Sequence, residues 1–111
     1  GSEMCIRDRG TAAAAQAVDG VTIVGVDSDW FESASDFADV ILTSVRKNMD
    51  AAVFDTVQLD LAGDDVGTLY VGTLANGGVG LGPVADGIDA ALLAEVDALE
   101  QAIIDGSVTV G

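Results

Sequence analysis

Two carboxylates that follow an apolar run are the residues best placed to do chemistry. Val21–Val26 is rich in β-branched residues and passes through Gly25. Asp27 comes directly after it, and Asp29 follows two residues later. Such a run is typical of a buried parallel strand, and open α/β sheets bind ligands at the carboxyl ends of their strands. A carboxylate at that position can accept hydrogen bonds from two vicinal hydroxyls, as on a ribose. The alternative is an Asx-type turn that ends the strand, and Asp29 can equally cap the turn that follows.

The basic pair Arg46–Lys47 is the second candidate. It lies between a predicted strand, Val40–Val45, and a predicted helix that begins at Asn48. A base at a helix N-terminus is electrostatically unfavourable, so we expect a carboxylate or a ligand oxygen to compensate Lys47. A salt bridge to a surface aspartate is the alternative for Lys47, and Arg46 is interpreted as solvated.

The third motif is the glycine-rich stretch NGGVGLG at residues 76–82. Paired glycines allow positive φ and a close approach of other groups. A phosphate-binding loop does not fit, because no Gly-Lys-Ser/Thr follows and Pro83 stands where a helix should begin. Phosphate binding is therefore not expected at residues 76–82.

Residues for nucleophilic or acid–base catalysis are scarce. The chain has no histidine, and its one cysteine lies within the first nine residues. Ser33, Ser35 and Ser44 have no general base of the usual kind beside them in the sequence. This composition argues against a hydrolase and favours binding.

Helix-like and strand-like patterns alternate along the chain, which predicts an α/β fold with a largely parallel sheet. The predicted strands are residues 21–26, 40–45, 68–73 and 107–110, and residues 75–82 are predicted to be a glycine-rich loop or a short strand. The predicted helices are residues 11–18, 48–62 and 89–105. Asp89 is expected to cap the last helix, and Gly63 to end the one before it.

One apolar stripe carries a packing prediction. Met49, Val53, Val57 and Leu61 recur every four residues of the predicted helix 48–62. This spacing predicts that the helix packs on the sheet through the stripe. A change of Val53 to Asp is then expected to be severely destabilising, because it would bury an unpaired charge.

Three stretches together resemble a known family. They are VTIVGVDSD at 21–29, LTSVRKNMD at 42–50 and LANGGVGLG at 74–82. In this order and spacing they resemble the C-terminal third of the basic-membrane-protein family, the purine-nucleoside-receptor-like lipoproteins that bind substrates for ABC transporters. The resemblance spans about residues 10–111. It implies the C-terminal lobe portion of a type-I periplasmic-binding-protein fold. For the glycine-rich stretch at 76–82 it implies a structural segment on the hinge side, near the cleft.

The resemblance also implies a function and a site. The family's TSVxKN pattern places its ligand-contacting lysine at Lys47, and the resemblance favours Asp27, with Asp29, as further ligand contacts. The implied protein is not an enzyme and uses no cofactor. It captures a small molecule, expected to be a purine nucleoside, and passes it to a membrane permease from an extracytoplasmic, lipid-anchored position. Trp30 stands where the family often has glutamine.

An enzyme is the competing interpretation. A hydrophobic strand that ends in Asp-x-Asp also resembles the metal-binding motif of nucleotide-sugar glycosyltransferases, in which carboxylates hold Mg²⁺ or Mn²⁺ against phosphate. Phosphatases of the haloacid-dehalogenase type share such a motif, but they have Gly-Thr or Gly-Val where this chain has Trp30 and Phe31.

The composition limits which partners the chain can bind and sets its first nine residues apart. The formal net charge is −15 over 111 residues, so the surface repels nucleic acid and anionic membranes. Residues 1–9 hold the only cysteine and two of the four bases, and we interpret them as a foreign leader. Residues 10–111 are then expected to be a partial substrate-binding lobe, whose signal and lipid anchor belong to a missing N-terminal part.

Overall fold

A computed structural model describes residues 3–67 and 69–110 of the chain, and it is a mixed α/β structure. Four helices are present in these ranges: α1 (Glu3–Gln16), α2 (Trp30–Ser33), α3 (Met49–Ala62) and α4 (Ala90–Ile104). Three strands accompany them: β1 (Ile23–Asp27), β2 (Ile41–Lys47) and β3 (Val79–Leu81). A short 3₁₀ helix, Ser35–Phe37, follows α2. No helix of the described residues is both long enough and apolar enough to cross a membrane.

The strands form one small sheet in the order β1-β2-β3. β1 and β2 are parallel, with Gly25 opposite Ser44 and Asp27 opposite Arg46. The chain after β3 runs the other way along β2, since the N–H of Gly82 donates to the carbonyl of Ser44 (2.8 Å) and that of Ala85 to Leu42 (2.8 Å). The sheet is therefore mixed, and the prediction of a largely parallel sheet holds only for the β1–β2 pair.

The chain divides into two units. The first unit contains the residues up to Arg46 together with Leu81–Asp86, and the second contains Lys47–Gly80 together with the residues from Gly87 onward. The core of the first unit consists of Ala12, Trp30, Ala34 and Ile41, with Ile23, Phe31 and Phe37 packed against it. These side chains come from α1, α2, the 3₁₀ helix and the two parallel strands.

Helix ends in the second unit follow the sequence signals. The Asp89 carboxylate accepts the N–H of Ala91 (2.8 Å) at the start of α4, as predicted. Gly63 ends α3 with a φ of 83°, a conformation that glycine adopts at little cost. The first helix differs from its prediction, because it begins at Glu3 and ends at Gln16 rather than covering residues 11–18.

Three structural predictions are wrong. Residues 69–73 are not a strand, and Thr68 lies outside the described residues; β3 at Val79–Leu81 is the third strand instead. Residues 107–110 are irregular rather than a closing strand. The predicted stripe on α3 does not pack on a sheet, because Val53 is 62% exposed and the other three members, Met49, Val57 and Leu61, are exposed as well.

Candidate functional site

Asp27 ends β1 in an unusual backbone conformation. Its φ is 75°, and it is the only residue other than glycine with a positive φ in the described chain. The N–H of Ser28 donates to the carbonyl of Val26 (3.0 Å), which closes a γ-turn with Asp27 at its centre. This form of the γ-turn is rare and strained, and aspartate tolerates it better than most residues. The strand therefore stops abruptly, with a half-buried carboxylate at its last residue.

Asp29 caps the helical turn that follows. Its Oδ1 accepts the N–H of Phe31 (2.9 Å), and its carbonyl accepts both the N–H and the hydroxyl of Ser33 (3.0 Å each). Capping was one of the two roles that the sequence allowed for this residue. A carboxylate at an N-cap is stabilised by the helix N–H groups, so Asp29 has a structural task whether or not it meets a ligand.

Trp30 is a core residue of the first unit. It is 6% exposed, its backbone N–H donates to the hydroxyl of Ser44 (3.1 Å), and its indole N–H donates to the carbonyl of Val26 (3.1 Å). A Cβ on Gly25 would lie 2.4 Å from Cγ of Trp30 and 2.6 Å from Oγ of Ser44. Gly25 is therefore glycine because the indole lies directly on the strand backbone.

This packing includes two residues, Gly25 and Ser44, that sequence reasoning did not assign to the site. A glycine in the middle of a β-branched run was the available signal, because such a glycine marks a close approach to the backbone. Ser44 carries no comparable signal. Its hydroxyl is fully buried, and it holds the start of α2 against β2.

A small cavity lies beside the segment that follows β1. It has a volume of about 120 Å³ and is lined by Asp8, Arg9, Ser28, Trp30, Ser33 and Ala34. The hydroxyls of Ser28 and Ser33 are 3.2 Å apart. Arg9 forms an ion pair with Asp36 (2.9 Å). Pockets for small organic ligands usually measure about 300–1,000 Å³, so this cavity does not hold a nucleoside.

Lys47 is the last residue of β2 and belongs to the second unit. The sequence pattern predicted Lys47 just after the strand, whereas it lies within the strand and is exposed. Asn48 follows, and its side chain donates to the carbonyl of Gly77 (2.7 Å) while its backbone N–H donates to Gly78 (2.9 Å). The glycine-rich stretch therefore supports the chain between β2 and α3, in agreement with its structural interpretation.

An open groove of about 250 Å³ runs along α3 in the second unit, and two further cavities larger than the one beside β1 lie in the same unit. One of about 620 Å³ is apolar and is lined by Gly72, Thr73, Leu74, Ala75, Val79, Ile103, Ile104 and Val110. The other, of about 240 Å³, is lined in part by Tyr70, whose hydroxyl donates to Asp55 (3.4 Å). Desolvation, and then the Asp55 carboxylate, raise the pKa of Tyr70 above its ordinary value. Neither cavity is lined by the predicted site residues Asp27, Asp29 and Lys47.

A metal cluster is not found in the described chain: no group of three or more His, Cys, Asp or Glu side chains there could hold a metal ion. Comparison with protein-family models and with curated proteins finds no match for this chain. The end of β1 presents one half-buried carboxylate on a strained turn, and a second carboxylate two residues later caps a helix.

Proposed function

We propose that the chain is part of a binding protein that captures a nucleoside for an ABC importer. The observation that carries the proposal is Asp27, held at the carboxyl end of β1 by a γ-turn with a φ of 75°. Strained backbone persists where the surrounding structure enforces it, and such positions cluster at ligand sites. The turn fixes the direction in which the Asp27 side chain leaves the backbone before a ligand arrives, which lowers the ordering cost of binding.

The chemistry of the site suits a polyol. An ionised carboxylate accepts two hydrogen bonds at once, and charge on the acceptor makes each bond stronger than a neutral one. The two neighbouring hydroxyls of a ribose can supply both of these donors. Lys47 is the proposed donor to a ribose oxygen, as the family resemblance implies. Asp29 contributes less in this proposal, because its Oδ1 already accepts the N–H of Phe31.

The proposal includes the fold of the intact protein, a type-I periplasmic-binding protein. The parallel β1–β2 pair, with helical segments before and after it, agrees with a portion of a lobe of a type-I periplasmic-binding protein. In such proteins two lobes close around the ligand by a hinge. A chain that supplies only part of the pocket is expected to bind weakly. The permease partner, the lipid anchor and the extracytoplasmic location belong to the intact protein.

Calorimetric titration of a longer natural chain that contains this sequence tests the proposal. Inosine, guanosine and free ribose are the titrants. Asp27→Ala is expected to weaken nucleoside binding about ten- to a hundred-fold, since loss of a charged hydrogen-bond partner costs about 1.5–3 kcal/mol. Asp105→Ala, at the end of α4, is the control and is expected to bind as the parent does.

The outcomes separate the competing functions. Equal affinity of Asp27→Ala and the parent for every nucleoside would remove Asp27 from the site. Binding of a nucleotide sugar that requires Mn²⁺, without nucleoside binding, would favour the glycosyltransferase-like enzyme. Adding Mg²⁺ or Mn²⁺ alone gives a second readout, because a metal-dependent enzyme is stabilised by its ion and a nucleoside receptor is not.

A further inference from the structure

Asn76 and Gly77 form an exposed pair in the second unit that the proposed binding site does not use. Gly77 has a φ of 72°, and its N–H donates over a long 3.3 Å to the carbonyl of Leu74. We propose that Asn76 is a site of spontaneous deamidation, that the folded turn restrains the reaction, and that the product loosens the start of α3.

The reaction needs only the chain and water. The backbone nitrogen of Gly77 gives its proton to a solvent base and attacks Cγ of Asn76. A new N–Cγ bond forms, the Cγ–Nδ2 bond breaks, and the nitrogen leaves as ammonia after taking a proton from solvent. Water then opens the five-membered succinimide at either carbonyl, which yields aspartate or isoaspartate. Gly77 favours the attack because it has no Cβ to obstruct the approach.

The fold restrains this reaction through the carboxamide of Asn76. Its Oδ1 accepts the N–H of Thr73 (2.7 Å) and of Gly78 (3.0 Å), and its Nδ2 donates to the carbonyl of Val71 (3.0 Å). Ring closure requires Cγ to turn toward the Gly77 nitrogen, which breaks these three bonds. The turn is exposed, and exposed turns open locally at a small free-energy cost. The reactive state is therefore the opened turn.

The product cannot restore the closed turn. Aspartate at position 76 places an oxygen where Nδ2 donates to Val71, so two acceptors face each other. Isoaspartate also lengthens the backbone before Gly77. The carbonyls of Gly77 and Gly78 hold the side chain and the N–H of Asn48, just ahead of α3. Loss of the turn therefore removes two hydrogen bonds at the start of that helix.

Peptide mass mapping of the full chain, incubated in neutral and mildly alkaline buffer, measures the reaction. The peptide with Asn76 is expected to gain the mass of an amide-to-acid change, faster at higher pH. Asn48, the other asparagine of the chain, is followed by Met49 and is the internal control that keeps its amide. The Asp-Gly pairs at residues 19, 86 and 105 can isomerise but do not change mass, so they do not contribute to the signal.

Two further arms make the proposal refutable. The chain in urea is expected to convert at Asn76 faster than the folded chain, and Gly77→Ala is expected to lose the signal even though its strained turn is more open. Asn76→Asp is expected to speed amide hydrogen exchange at Asn48. Equal conversion of Asn48 and Asn76, or no conversion at Asn76 in urea, overturns the site. Faster conversion in the folded chain than in urea overturns the restraint, and unchanged exchange at Asn48 in Asn76→Asp overturns the effect on α3.

Discussion

The two units differ in what their apolar side chains do. In the first unit, Trp30 and Ile41 are 6% and 2% exposed, and α1, α2 and both parallel strands contribute to one core. In the described part of the second unit no large apolar side chain is buried, and Phe54 on α3 is 63% exposed. Both units are rich in apolar residues. Composition and helical periodicity therefore do not by themselves create a core; close approach between elements does.

The difference has a local cause. In the first unit, Gly25 lets the indole of Trp30 reach the strand backbone. The hydroxyl of Ser44 accepts the backbone N–H of Trp30, which this contact buries. Among the described glycines of the second unit, one makes a comparable approach: a Cβ on Gly78 would lie 2.5 Å from Cα of Gly72. That contact joins two backbones and buries no large side chain. Hydrogen bonds within turns and at helix ends, rather than a buried core, hold the described part of the second unit together.

Trp30→Ala is the strongest test of this contrast. Loss of a buried tryptophan is expected to cost about 3–5 kcal/mol of unfolding free energy. Urea unfolding followed by far-ultraviolet circular dichroism measures it. Phe54→Ala is the matched aromatic control in the second unit and is expected to change stability by less than about 0.5 kcal/mol. A comparable cost for both variants would show that Phe54 is buried too, and the contrast would fail.

Gly25→Ala tests the close approach itself. The added methyl would meet Cγ of Trp30 at 2.4 Å, so we expect a cost of about 1–3 kcal/mol from overpacking. Gly10→Ala, in α1 with no atom within 4 Å of the added Cβ, is expected to stabilise by about 0.5–1 kcal/mol. Hydrogen exchange in β1 compares the two variants. Similar exchange for both would mean that the indole does not lie on Gly25.

Val53→Asp tests whether the apolar stripe on α3, in the second unit, is exposed. The helical stripe predicts a severe loss, whereas the 62% exposure of Val53 predicts a change of less than about 0.5 kcal/mol. The new charge lies three residues after Asp50 and adds a small repulsion of about 0.2–0.5 kcal/mol. Urea unfolding of this variant distinguishes the two expectations. A loss of several kcal/mol would place the stripe in a core after all.

The smallest expected effect concerns a polar contact of the second unit. The hydroxyl and the N–H of Ser107 both donate to Asp105, and they lower the pKa of that carboxyl, against a smaller opposing effect of desolvation. Because the folded pKa is depressed, the contact stabilises the fold above the unfolded pKa and is lost as the pH falls through the folded pKa. A carboxyl NMR titration is expected to show the low pKa, and Ser107→Ala to raise it.

Local signals predicted the end of α3 and the start of α4. Asp89 caps α4 and Gly63 ends α3, because caps depend on a few neighbouring residues. The first two strands were also predicted within a few residues. A strand was wrongly predicted at residues 69–73, which have a strand-like alternation but do not join the sheet. For residues 75–82 the sequence left a loop and a short strand open, and the short Val79–Leu81 pairs with β2. Pairing is decided by distant residues, which the local pattern does not contain.

The candidate site was predicted in part for a similar reason. The sequence placed Asp27 at the end of a strand and left capping open for Asp29, and both features are present. The left-handed backbone of Asp27 was not predicted, since it depends on the γ-turn that the buried Trp30 helps to fix through Val26. The exposure of the apolar stripe on α3 was not predicted either. Periodicity shows which residues share one face of a helix, but not whether that face meets a core or solvent.

The position of Trp30 gives the chain a convenient optical property. It is the only tryptophan, it lies in the first unit, and the only tyrosine, Tyr70, lies in the second. Fluorescence excited at the red edge of the absorption band, where only indole absorbs, therefore reports on the first unit alone. Its emission should move to longer wavelength when water reaches the ring. Far-ultraviolet circular dichroism also reports on the second unit, because α3 and α4 lie there. Comparing its unfolding transition with that of the indole emission shows whether the two units lose their structure together or in turn.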